Sequence, residues 1–206
     1  HEAILISSIF YYLFLRSYDM RRDSLTRLLN RQSLYDDNVS MRNHITAAAS
    51  LDMNGLKDTN EREGYQAGDA ALKTIGRCMR DFNSPHVRGY RIGGDEFVML
   101  FTNLDEITVR QTLSDIRKKV EEAGYSISCG YAMKEKGDNP DDIIRKSDMK
   151  MFEDKAAHYS QQWKNRHRTE EQAEGSFGGD MRKAVEVSVQ PMAVCRFTEE
   201  HDIEIS

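Results

Sequence analysis

The chain has 206 residues, enough for one well-cored domain with extensions and hardly enough for two. Its formal net charge is −5, and its Lys and Arg clusters are broken by acids, so no basic face for nucleic acid is expected. Cys78, Cys129 and Cys195 are odd in number and widely spaced; they form no disulfide or metal-ligand pattern and read as a reducing, cytosolic compartment.

The first residue is His1 rather than Met, as expected of a piece cut from a longer chain. Residues 3–15 (AILISSIFYYLFL) are almost wholly apolar but too short to cross a bilayer alone. Arg16, Arg21 and Arg22 follow, as on the cytoplasmic flank of a membrane helix. Residues 1–18 therefore read as the end of a membrane helix or as a stalk helix that packs on a partner. They lack the basic start and cleavage site of a signal peptide.

Residues 32–44 predict a polar helix, and residues 45–53 (ITAAASLDM) a buried strand ending in an acid. A loop containing Asn54 and Gly55 is expected next. Leu72, Ile75, Met79 and Phe82 recur at helical spacing over residues 67–82. Residues 87–92 and 96–101 are two strands around Gly93-Gly94, a hairpin signal. Val109, Leu113, Ile116 and Val120 mark a further helix, stopped by Gly124. Residues 125–133 alternate, with Ser126, Ser128, Gly130 and Ala132 giving one face of small side chains against which a helix can pack closely. Residues 141–163 predict a final long helix. Beyond Lys164 the chain is polar and Gly-containing, with a strand-like stretch at 184–189 that has no evident partner. Hairpin strands mixed with crossover helices predict an α/β (α+β) sandwich, with a mostly antiparallel central sheet and flanking helices.

The chemistry lies in acids at strand ends. Asp95 and Glu96 follow the glycine pair, and Asp52 closes the preceding strand. Singly, each has a plain structural explanation: a solvated hairpin tip, or a helix cap. If the two strands are neighbours, Asp52 and Asp95 meet at one edge and can hold Mg²⁺, a hard cation that leaves room for substrate phosphates. An EF-hand reading of Asp52, Asn54 and Glu63 fails, because Lys57 stands where that loop requires glycine.

Four stretches, "RDSLTRLLNR" (22–31), "LDMNGLKDTNEREGYQAGD" (51–69), "RIGGDEF" (91–97) and "SDMKMFEDK" (147–155), stand in the order and spacing of the GGDEF domain of diguanylate cyclases. The chain resembles that family over residues 19–165. The resemblance implies a fold similar to the palm of nucleotidyl cyclases and polymerases. It implies a reaction in which two GTP form cyclic di-GMP with release of pyrophosphate. It implies Mg²⁺ (or Mn²⁺) held by Asp52, the Met53 carbonyl and Asp95, with Glu96 a further ligand or the base for the attacking hydroxyl. Asn60 and Asp69 fall on guanine-binding positions; a carboxylate accepts from the N1–H and amino groups that adenine lacks there. Gly55, Leu56 and Lys57 offer backbone donors and a cation to phosphate, and Lys155 a second cation. Arg91 either contacts substrate or anchors the hairpin. The resemblance further implies a catalytic homodimer, GTP as substrate and no nucleic-acid partner. Its location would be a cytoplasmic domain attached to the inner face of a bacterial membrane.

The sequence departs from the family at several positions. Tyr159 stands where many members carry Arg, four residues after Lys155 on one helix face. Glu61 and Tyr65 replace the common Asp and His. Ser84 and Val87 occupy the positions of an inhibitory Arg-x-x-Asp product site and supply neither fork nor carboxylate, so no product inhibition is expected there. A catalytically silent GTP-binding module remains the alternative to an active cyclase.

Overall fold

The computed structural model describes residues 2–176, with side chains described over 3–12 and 20–164. Contacts divide the chain into a compact unit His1–Arg166 and a second unit His167–Ser206. The strand expected at 184–189 lies outside the described residues.

The elements run α1 (Glu2–Met20), β1 (Leu29–Asn30), α2 (Arg31–Ser40), β2 (Ile45–Met53), α3 (Leu56–Glu63), α4 (Tyr65–Arg80), β3 (Val87–Arg91), β4 (Glu96–Thr102), α5 (Glu106–Glu122), β5 (Ile127–Met133) and α6 (Pro140–Ser176). The strands form one sheet in the order β1-β3-β4-β2-β5. β3–β4, β4–β2 and β2–β5 are antiparallel; the two-residue β1 alone pairs in parallel, with β3. This is the mostly antiparallel sheet with flanking helices expected from the sequence.

Alternation along the strands divides the core in two. Phe97, Met99 and Phe101 face α4 and α5, joining Leu72, Ile75, Met79, Val109, Ile116 and Val120. Val98 and Leu100 face the other way, joining Leu34 of α2, Ile143 of α6 and Tyr90. Each such fully buried side chain is worth about 1.5–3 kcal/mol in transfer from water. Ala47, Ala48 and Ala49 of β2 lie between the layers, fully buried and small enough to admit packing on both faces.

The small face read from β5 receives α6. A Cβ at Gly130 would fall within 3.0 Å of the backbone of Ser147, Lys150 and Met151. Beside this contact the buried hydroxyls of Ser50 and Ser147 lie 2.7 Å apart, joining β2 to α6.

Two elements differ from expectation. Residues 56–63 form α3 rather than loop, although none of its residues is buried. The expected polar helix ends at Ser40, and one of its acids, Asp37, is buried. Asp37 accepts from the Tyr90 hydroxyl at 2.7 Å, Arg88 at 2.9 Å and Arg21 at 3.2 Å. Burial, then the bond to Asp37, raises the pKa of the Tyr90 hydroxyl. This network ties the segment after α1 to β3. Asn30 and Ser33 reinforce it by donating to the carbonyls of Met20 and Arg21.

On α1, Ile4, Leu5, Ile6, Ile9 and Phe10 are exposed. Among the described residues no helix is long and apolar enough to cross a membrane.

Candidate active site

The ends of β2 and β4 bring the strand-end acids together. Register pairs Asp52 with Glu96 on one side and with Ser128 on the other. One residue further, the Met53 N–H donates to the Asp95 carbonyl at 3.2 Å. Asp95 itself lies in the turn, and β4 begins at Glu96. Asp52 is buried, Asp95 half-buried and Glu96 exposed, so the acids grade from the sheet interior to solvent.

Lys155 completes this group from α6. Its Nζ lies 2.6 Å from Asp52 Oδ1. Burial raises the Asp52 pKa; the Lys155 bond opposes that rise, and the charges of Asp95 and Glu96 add to it. Burial works against the Lys155 ammonium, yet the bond to Asp52 and the charges of Asp52 and Asp95 hold its pKa above the usual value. Asp52, Met53, Asp95, Glu96 and Lys155 thus meet at one end of the sheet.

Local contacts fix the loop that leaves β2. Asn54 donates to the Ser126 hydroxyl at 2.9 Å and accepts from the Ser128 hydroxyl at 2.7 Å. Gly55 then turns left-handed, with φ +74°, and opens α3. Leu56 is half-buried and packs on the core. Lys57 points to solvent, with Glu61 3.8 Å away.

Asn60 lies on α3 and Asp69 on α4. A Cβ at Gly68 would collide with the Asn60 amide, so the glycine lets α3 and α4 approach and sets Asn60 beside the residue preceding Asp69. Asp69 is exposed.

Arg91 is turned to the hairpin. Its guanidinium donates to the Gly94 carbonyl, at 2.7 Å from Nη2, and to Asp23 at 3.1 Å. Asp23 also accepts from the Thr26 N–H and hydroxyl. Burial raises the Asp23 pKa, but these bonds and the Arg91 charge outweigh it and leave the carboxyl below its usual range. Asp23 and Ser128 are supporting residues that the sequence did not mark for such a role, and Asn54, expected only as part of the loop, holds that loop through its side chain. Asp23 and Asn54 lie inside the quoted motifs; Ser128 carries no motif signal.

Among the described residues no three His, Cys, Asp or Glu side chains converge as a metal cluster. The donors at the sheet end are instead two carboxylates and a backbone carbonyl, a set that suits a hard cation sharing its remaining positions with phosphate and water. That Asp52 holds an ammonium at 2.6 Å marks the position as cation-seeking.

A hollow of about 220 Å³ lies at the opposite end of β3, lined by Arg21, Arg22, Leu29, Asn83, Ser84, Val87 and Arg88. It contains both positions of the expected missing product site.

The sequence profile described as "Diguanylate cyclase, GGDEF domain" matches residues 20–161. The chain belongs to the GGDEF domain family. Among curated relatives, the uncharacterised protein y4lL of Sinorhizobium fredii is 29% identical over 144 residues, covering 63% of this chain and 17% of that protein. Diguanylate cyclase DosC of Escherichia coli K12 is 26% identical over 132 residues, covering 56% of this chain and 29% of DosC. The chain thus spans less than a third of either relative. Among solved structures, the coiled coil and GGDEF domain of DgcB from Caulobacter crescentus, in complex with c-di-GMP, superposes with a TM-score of 0.69 at 22% identity. That match covers 76% of this chain and 91% of the DgcB chain, and it shows a shared fold. The GGDEF match encloses all four motifs and every candidate residue named above.

Proposed function

We propose that this chain is a diguanylate cyclase. It condenses two GTP into cyclic di-GMP with release of pyrophosphate, depends on Mg²⁺ (or Mn²⁺) and acts as a homodimer. The observation that carries this reading is the joint between the β2 end and the hairpin, where the Met53 N–H meets the Asp95 carbonyl and Asp52 pairs with Glu96.

Asp52, the Met53 carbonyl and Asp95 hold the cation, with Glu96 beside them. Bound there, the ion would favour deprotonation of the attacking 3′-hydroxyl and offset charge on the leaving pyrophosphate. Glu96, exposed at the mouth, is placed to accept that proton or to ligate. Asp69 accepts from guanine N1–H and the amino group, and Asn60 adds an amide; together they disfavour adenine. The backbone N–H groups at the start of α3 face the phosphates, and Lys57 and Lys155 supply cations. Arg91, held by Asp23 and Gly94, keeps the hairpin in place rather than touching substrate.

One domain holds one GTP, so two domains must face each other with two-fold symmetry. The exposed apolar surface of α1 is where protomers pair, or where the chain attaches to the inner face of a membrane. Residues 19–165 are the catalytic domain, and 166–206 a polar extension. A silent GTP-binding module is favoured by Tyr159, which stands where a second phosphate cation is usual, and by the polar tail that the cyclase reading leaves without a role.

Incubation with GTP and Mg²⁺, followed by mass spectrometry, tests the proposal. Cyclic di-GMP is expected from the wild type, with turnover lost in Asp95→Ala. Binding of GTP without product supports the silent module, and turnover retained in Asp95→Ala removes that carboxylate from the mechanism.

A further inference from the structure

Resting on the metal and nucleotide roles proposed above, we infer that Lys155 is a built-in occupant of the divalent-cation position. A metal ion then enters as the triphosphate draws the ammonium away. Lys155 Nζ lies 2.6 Å from Asp52 Oδ1, and the pair is largely removed from water, with side-chain exposures of 26% and 7%. Mg²⁺ binds a carboxylate oxygen at about 2.0–2.1 Å. With the ammonium still on that oxygen, the two cations would stand about 4 Å apart, a repulsive arrangement. Binding through the other Asp52 oxygen places both cations on one carboxylate and changes this little.

The backbone of α6 cannot yield instead. Gly130 admits it against β5 with no space to spare. Ser50 and Ser147 join it to β2. Asp154, next to Lys155, accepts from the Cys129 N–H at 2.9 Å and from Arg117 at 2.7 Å. The exchange therefore falls to the Lys155 side chain, whose four-carbon stem is flexible. Without nucleotide, the ammonium neutralises the carboxylates and suppresses uptake of metal alone. With nucleotide, the phosphates offer it a stronger anion and release Asp52.

The test uses Mn²⁺ as the probe. Free ion is followed by electron paramagnetic resonance, with the full chain, with and without a non-hydrolysable GTP analogue and corrected for Mn²⁺ held by the analogue itself. Wild type is expected to bind Mn²⁺ weakly alone and tightly with the analogue. Lys155→Met is expected to bind Mn²⁺ alone at least about ten-fold more tightly, since even full water-like screening of a single and a double charge about 4 Å apart leaves a repulsion of that order. The same variant should bind the analogue less well. Equal nucleotide-free affinities, with wild type still taking up Mn²⁺ beside the analogue, overturn the exchange and leave the metal site standing. No uptake by either protein under either condition overturns the metal site as well. If Lys155→Met does not fold, wild type alone decides: equal affinity with and without the analogue refutes the exchange.

Discussion

Replacing Gly130 by Ala adds one methyl group at the point where β5 and α6 touch. The new Cβ would lie within 3.0 Å of the backbone of Ser147, Lys150 and Met151, so no rotamer change relieves it. Overpacking of this kind costs about 1–3 kcal/mol, and rigid backbone on the far side places it at the upper end. Reduced freedom of the unfolded chain returns about 0.4–1 kcal/mol. A net loss of about 2 kcal/mol follows, or roughly 4–8 °C in Tm for a domain of this size. Displacement of α6 also strains the Ser50–Ser147 contact and shifts Lys155, so turnover should fall beyond the loss in stability. Gly94→Ala is the control: nothing lies within 4 Å of its added Cβ, and a change under about 0.5 kcal/mol is expected. Urea unfolding followed by circular dichroism reads both. Wild-type stability in Gly130→Ala, or an equal loss in Gly94→Ala, would refute the packing argument.

Other outcomes follow from the same geometry. The lowered Asp23 pKa means its contribution is present above the unfolded carboxyl value and is lost as pH falls through the folded one. Asp23→Asn should therefore cost about 1.5–3 kcal/mol near neutrality and flatten the acid limb of a stability–pH profile; an unchanged limb would exclude the carboxylate. Asp37→Ala leaves the buried Tyr90 hydroxyl without its acceptor and returns the part-exposed Arg88 to solvent, and chemical denaturation should record a loss of about 1–3 kcal/mol. Asp69→Asn should reduce GTP-over-ATP discrimination on the order of 100-fold in binding assays, while leaving the melting temperature close to wild type.

The sheet was legible in the patterns of its strands. Residues 97–101 are apolar without a break, the pattern of a strand covered on both faces, and the small residues around Gly130 forecast close approach by a helix. α3 was not legible: apart from Leu56 its residues are polar, and nothing in it is buried, so no 3.6-residue stripe exists to detect. Its limits are set by Gly55 and Gly64, both at positive φ. β1 is two residues long and exists through its partner β3. Asp37 looked like one acid among several on a polar helix; its burial depends on Tyr90 and Arg88, which are brought to it only by the tertiary fold. At the candidate site, Asp52 and Asp95 were expected to meet only if their strands were neighbours; β2 and β4 do pair, with Asp52 opposite Glu96 and the Met53 N–H on the Asp95 carbonyl. The Lys155–Asp52 pair joins residues 103 apart in sequence, a contact that no local pattern encodes.

The proposed function requires the β2 end and the hairpin to grip a divalent cation beside a guanine pocket. A crystal structure with Mg²⁺ and a non-hydrolysable GTP analogue tests it most directly. An ion is expected about 2.0–2.1 Å from oxygens of Asp52 or Met53 and of Asp95, with guanine against Asn60 and Asp69. Nucleotide bound elsewhere, or an ion that ignores these oxygens, would contradict the proposal.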